Sequence, residues 1–249
     1  MTKTHIMKAF DEELRELTTM IVAMGNLAAM LFAEAVQALL QSNIEMALNV
    51  IDQDQQIDAL KRKVTDRAAL VITRRQPVAG DLDEVLADFK IIEDLERIGD
   101  LAKNIAKRAT VIAAEPFPQD IVEDVERLSG LALAQVRQGL DAYVSRNAER
   151  ALIIRQQDDA IDELHTALFK KILVRMTADQ AHVVGFVHLL FCVKNIERVG
   201  DHATNIAEAA YLAATGALPA DERVTHDGSS MTSTDVGPHD HSRKRVDPI

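Results

Sequence analysis

Residues 96–109 read ERIGDLAKNIAKRA, and residues 197–210 read ERVGDHATNIAEAA. These two stretches decide the architecture, because they are one element written twice. Upstream, residues 54–64 (DQQIDALKRKV) match residues 158–168 (DDAIDELHTAL), and residues 45–51 (EMALNVI) match residues 149–155 (ERALIIR). The order is the same in both copies, and the spacing differs only by a small deletion in the second. Three segments kept in order mark an internal duplication.

Each half then divides into three long helices. In the first half they cover about residues 4–41, 43–74 and 81–115, and in the second about 118–145, 147–176 and 178–216, by apolar periodicity and helix-stop signals. Ser42 with Glu45, Asp81 with Glu84, and Thr177 with Gln180 have the spacing of capping boxes at the breaks. Pro116 and Pro118 separate the halves, and Pro118 suits a helix start. The expected fold is all-α: one three-helix bundle over residues 4–115 and a second, in tandem, over residues 118–216. Residues 217–249 lose the apolar period and are rich in Asp, Ser, Thr and His, the composition of a disordered tail. His226, His239 and His241 in that tail read as a solvated end rather than a metal site.

Composition agrees. Of 249 residues, 47% are hydrophobic but only 4% aromatic, with no Trp, which suits helix packing better than a sheet sandwich. A net charge of −11 argues against free nucleic acid as a partner. The single cysteine, Cys192, lies in an apolar run and reads as a core thiol. No secretory signal opens the chain, so a cytoplasmic protein is expected. The most membrane-like stretch, residues 18–33, is short for a span and carries Asn26, so a buried bundle helix is the better reading.

The repeated motif carries the candidate chemistry. On a helical wheel with Glu96 as origin, Asp100 falls at about 40° and Asn104 at about 80°, while Ile98, Leu101, Ala102 and Ile105 fall between about 140° and 240°. An oxygen-rich stripe thus lies opposite an apolar face, and it is expected to face away from the bundle core. Glu197, Asp201 and Asn205 repeat the stripe. The preceding helices add Asp54 with Asp58 and Asp158 with Asp162, again four residues apart. Like charges at that spacing repel, and a cation between them reverses the sign. No histidine is shared by the halves, so the donors are oxygen only. Such a set favours a hard cation such as Mg²⁺, Ca²⁺, Mn²⁺ or Fe³⁺ over structural zinc. Gly99 and Gly200 recur beside the stripe, where close helix packing or a close ligand would explain them. Arg97 and Arg198 also recur and read as salt-bridge partners. A carboxylate-bridged di-metal enzyme is the alternative. It calls for inward-facing Glu and an E-x-x-H motif, and neither Glu93, Glu96 nor Glu197 has a histidine three residues on. A metal-free helical adaptor is the other alternative.

These residues resemble the PhoU family of regulators of bacterial phosphate uptake. The family pattern is a twice-repeated E/D-x-x-x-D on the third helix of each bundle, here Glu96 to Asp100 and Glu197 to Asp201, with the R-Q-P-V-A-G-D-L stretch at residues 75–82 before the first copy. The second half lacks that loop. The resemblance covers about residues 6–214. It implies a non-enzymatic negative regulator of phosphate uptake and of the phosphate-starvation (Pho) regulon. It implies a cytoplasmic homodimer, peripheral to the inner membrane through its partners, the ATPase component of the high-affinity phosphate ABC transporter and a PhoR-type sensor kinase. It also implies bound metal ions, with iron, manganese, magnesium and zinc all open. Carried over by position, the ligands would be Glu96, Asp100, Glu197 and Asp201. Asp54, Asp58, Asp158 and Asp162 support them, and Asn104 and Asn205 are weaker candidates.

Overall fold

A computed structural model describes residues 3–77, 80–220 and 229. Among them the regular elements are six α-helices: α1 (Lys3–Leu40), α2 (Ile44–Arg75), α3 (Gly80–Ile112), α4 (Gln119–Ser145), α5 (Ala148–Ala178) and α6 (Val183–Thr215), with one turn of 3-10 helix at Gln180–His182 before α6. The all-α expectation holds. Most of the tail, and Val78 and Ala79 of the R-Q-P-V-A stretch, lie outside the described residues.

The helix ends show where local chemistry acts. Asn43 caps α2, its Oδ1 accepting from the Met46 N–H at 3.0 Å, and Asn147 caps α5 in the same way from Arg150 at 2.9 Å. The expected box from Ser42 is therefore displaced by one residue, because Ser42 takes a left-handed φ of 53° to turn the chain. Arg146, at the matching place, has φ 50°. The Asp81 box is replaced as well: α3 already begins at Gly80, and Glu84 is buried in an ion pair with Arg146. Thr177 caps nothing, since α5 runs on to Ala178 and α6 starts only at Val183. At the end of α6, Gly216 adopts φ 72° and its N–H reaches the Leu212 carbonyl, the left-handed stop that glycine takes without strain.

Within each half the three helices pack on one another, and the halves meet through α3 against α6 and α1 against α4. Both contacts are antiparallel. Asp94 meets His202 and Asn205 while Arg108 meets His188. Gly25 lies under Leu140 while Leu40 lies near Val122. The two bundles consequently share one continuous apolar core, with α2 and α5 as outer helices. Leu17, Ile21, Met24, Leu31 and Phe32 of α1 are fully buried in it. At ~1.5–3 kcal/mol for each large buried apolar side chain, this core is what orders the helices. α1 is the one described helix long and apolar enough to cross a membrane; half of that window is buried inside the protein.

Candidate functional site: the paired acidic stripes

The recurring glycines come first, because they set how close the helices stand. A β-carbon on Gly99 would lie 3.3 Å from Cγ1 of Ile57, and one on Gly200 would lie 2.9 Å from Cδ1 of Ile161. Ile57 and Ile161 are themselves equivalent residues of the repeat. Close helix packing, not a ligand, therefore accounts for both glycines. It also pulls α2 over the stripe of α3 and α5 over the stripe of α6.

That approach corrects the outward-facing expectation. Asp54, Asp158, Asp162 and Glu197 are only 2–4% exposed. Glu96 is half-buried, and Asp100 is the more open of the two first-half motif acids, its side chain 42% exposed. Asp58 and Asp201 are intermediate, and Asn104 and Asn205 are exposed. A wheel gives the angle of a side chain on its own helix. It does not say that a neighbour crosses so near that the polar edge is covered too.

In the first half, basic side chains already balance these acids. Lys103 Nζ donates to Asp54 Oδ2 at 2.5 Å. Lys61 Nζ donates to Glu93 Oε2 at 2.9 Å and lies 3.5 Å from Glu96 Oε1. Arg97 lies 3.5 Å from Glu96 and 3.3 Å from Asp100. The hydrogen bond to Asp54, with the charges of Asp54, Asp100 and Asp58, holds Lys103 above the ordinary lysine range. For Lys61, burial pulls the other way, but the bond to Glu93 and the charges of Glu96 and Glu93 outweigh it and raise it.

The second half is built differently at matching positions. Thr204 replaces Lys103, His165 replaces Lys61, and Lys194 replaces Glu93. The Thr204 hydroxyl donates to Asp158 Oδ1 at 3.1 Å and accepts from Gln135 Nε2 at 2.9 Å. Lys194 Nζ donates to Glu197 Oε1 at 2.8 Å. His165 is fully buried, its ring 6.2 Å from that of Phe169. Along the seam, His202 Nδ1 lies 2.8 Å from Asp94 Oδ1 and Asn205 Nδ2 donates to the same oxygen at 3.2 Å. Asp94 and His202 were not among the expected site residues. Their partnership needs the α3–α6 register, which no local pattern reveals.

The oxygen-rich donor set suits a hard cation in kind. Its placement does not, as it stands. Among the described residues no group of three or more His, Cys, Asp or Glu side chains is gathered to hold a metal ion. In the first half, ammonium groups occupy the position that a metal would take beside Asp54 and Glu96.

Comparison with known proteins accounts for the two stripes together. The PhoU domain family matches residues 21–109 and again residues 125–210, one match per half. The chain belongs to the PhoU family. A phosphate-specific transport system accessory protein PhoU homolog of Rhizobium meliloti is 46% identical, over 94% of this chain and 98% of its own. The homolog of the same name from Zymomonas mobilis is 40% identical, over 85% of this chain and 89% of its own. The crystal structure of PhoU from Pseudomonas aeruginosa superposes with a TM-score of 0.80 at 29% identity, covering 84% of this chain and all of that one. The phosphate transport system regulatory protein PhoU of Streptococcus pneumoniae gives 0.78 at 28%, covering 84% and 99%. Both PhoU repeats thus fall on the two helical halves, and each contains one copy of the motif.

Proposed function

We propose that this PhoU-family chain is a non-enzymatic negative regulator of phosphate uptake and of the phosphate-starvation regulon. In this reading it connects the ATPase component of a high-affinity phosphate ABC transporter with a PhoR-type sensor kinase, as a cytoplasmic homodimer. Two things support the reading. Relatives named as phosphate-transport accessory proteins match both halves over nearly their whole length. The repeat-bearing helices α3 and α6 also lie side by side, so their polar edges form one charged face. That face carries both signs, which favours specific pairing with a partner over general repulsion.

Metal would enter only as a competitor of the lysines. Iron, manganese, magnesium or zinc on Glu96, Asp100, Glu197 and Asp201, with Asp54, Asp58, Asp158 and Asp162, would have to displace Lys61 and Lys103 in the first half. Metal analysis of protein purified without chelator, for wild type and Lys103→Ala, tests this. Stoichiometric metal that rises in the variant supports competition; none in either supports a metal-free adaptor. The function itself is tested by co-purification from membranes of phosphate-grown and phosphate-starved cells. Recovery of the transporter ATPase and the kinase with the tagged chain is expected. Recovery of neither in both conditions contradicts the reading.

A further inference from the structure

A cavity of about 240 Å³ lies where α1 stops and α4 and α6 start, with apolar walls from Leu39, Phe117, Ile121, Val125 and Leu189. One carboxylate lines it. Glu115, in the linker before α4, lies over Gly185 in the first turn of α6, where a β-carbon would stand 2.9 Å from Glu115 Oε2. That oxygen is buried and has no hydrogen-bond partner among the described residues. No lysine or arginine lines the cavity.

The duplication says what this carboxylate lacks. At the opposite end of the molecule a second cavity takes the equivalent place, lined by Asp11, Arg15, Glu84 and Arg146 among others. The packing fixes the equivalence: Leu17, Ile21, Met24 and Ala28 of α1 fall on Ile121, Val125, Leu128 and Ala132 of α4, and all are buried. In the same register Asp11 corresponds to Glu115, Arg15 to Gln119, Glu84 to Gly185 and Arg146 to Ser42. Ser42 and Arg146 share the left-handed turn, with φ 53° and 50°. The first end thus sets two carboxylates against two guanidinium groups, and Glu84 pairs with Arg146 there. The Glu115 end keeps a carboxylate over the Glu84 position and has neither arginine. Gln119 instead turns its amide to Glu123 at 3.2 Å. Deeper in at the first end, the Tyr143 hydroxyl donates to Asp88 Oδ1 at 2.5 Å, and burial raises that carboxyl; Leu39 and Leu189 take those two places beside Glu115.

We propose that this cavity binds an alkylguanidinium group, carried by an arginine side chain of another protein or by a free guanidine, with the cation on Glu115 and the stem against Leu39 and Leu189. The bound group takes the role that Arg146 fills at the opposite end. Two local accounts of Glu115 fall short. A carboxylate is favoured near a helix start, and α6 begins here without a side-chain cap, yet no donor reaches Oε2. A metal ion needs several oxygen ligands, and the cavity offers one carboxylate among apolar walls. A guanidinium fits better. It is weakly hydrated and pairs with carboxylates in a planar fork. α1 also ends at this cavity with no basic residue in its last turn, and a helix C-terminus favours a cation. The volume suits one long side chain, being below the ~300 Å³ at which drug-sized sites begin.

Methyl NMR of the full chain, labelled at Ile, Leu and Val, tests the site with butylguanidine as probe and butylurea, its neutral isostere, as control. Butylguanidine should shift the Leu39, Ile121 and Leu189 methyls saturably, and butylurea should bind about tenfold more weakly or less. Glu115→Gln should weaken butylguanidine by about tenfold or more. Ser42→Arg restores the residue found at the opposite end, on a turn that already accepts arginine there. Its own guanidinium should occupy the site and weaken the probe to the same degree. The two variants act through opposite changes, and their methyl spectra report the fold directly. N-acetyl-arginine methylamide separates the sources: binding as tight as butylguanidine assigns the site to an arginine on another chain, and binding of butylguanidine alone assigns it to a free guanidine. No saturable shift, equal binding of butylurea, or undiminished binding in either variant would each overturn the site.

Discussion

Gly200 lies directly beneath Ile161: a β-carbon on the glycine would stand 2.9 Å from Cδ1 and 3.3 Å from Cγ2 of the isoleucine. Alanine there raises helix propensity by about 1 kcal/mol, but overpacking a well-filled crossing costs about 1–3 kcal/mol. We expect Gly200→Ala to destabilise the protein by about 1 kcal/mol net. Gly130, inside α4, has nothing within 4 Å of where its β-carbon would lie, so Gly130→Ala should stabilise by about 0.5–1 kcal/mol. Urea denaturation of the two variants checks the opposite signs.

The Lys103–Asp54 pair should be the costly one to break. Asp54 is buried, so Lys103→Met strands a desolvated carboxylate. With the lysine partly exposed, a loss of about 2–3 kcal/mol is expected, just under the range for fully buried pairs. Asp54→Asn added to it should recover most of that. Lys171, about as exposed as Lys103, pairs with Asp120 and Asp124, which are far more open to water than Asp54, so its removal strands no buried charge and should cost under about 1 kcal/mol. Thermal melts at one pH rank the three.

Stability should fall with rising pH on account of Asp88. Its folded-state value is about 7 against 3.8 for an unperturbed carboxyl. Below 3.8 both states hold the proton, so the contribution is fully present there. Between 3.8 and about 7 the unfolded chain has lost the proton while the folded chain keeps it, so stability declines as pH rises, by on the order of 4 kcal/mol in all. Asp88→Asn should flatten the curve across that window and be more stable than wild type at pH above it. Denaturant midpoints across the window, compared for the two proteins, test the sign.

Cys192 is fully buried, and burial pushes its thiol up to about 12. Thiolate is the reactive form, so the native protein should resist aromatic disulfide reagents and react at the rate at which it unfolds. Fast, denaturant-independent labelling would contradict the placement.

The six helices were legible because duplication and a 3.6-residue period are local properties of the chain. Helix caps were legible only to within a residue: Ser42 looked like the cap, yet it turns the chain and Asn43 caps. The acidic stripes were found but misplaced. Spacing located Glu197 and Asp158 on one edge of their helices, while Gly200 under Ile161 decides that α5 covers that edge. The Asp94–His202 and Asp88–Tyr143 contacts were not legible at all. Each joins residues more than 50 positions apart, and only the antiparallel meeting of the two halves brings them together.

We propose that the charged face shared by α3 and α6 carries phosphate-dependent repression. The most direct measurement is a phosphate-starvation reporter in phosphate-rich medium, in cells whose only copy of the protein is Asp100→Ala/Asp201→Ala, with wild-type protein level and helicity verified. Derepression of the reporter to the level of a strain lacking the protein is expected. Full repression by the folded double variant would contradict it.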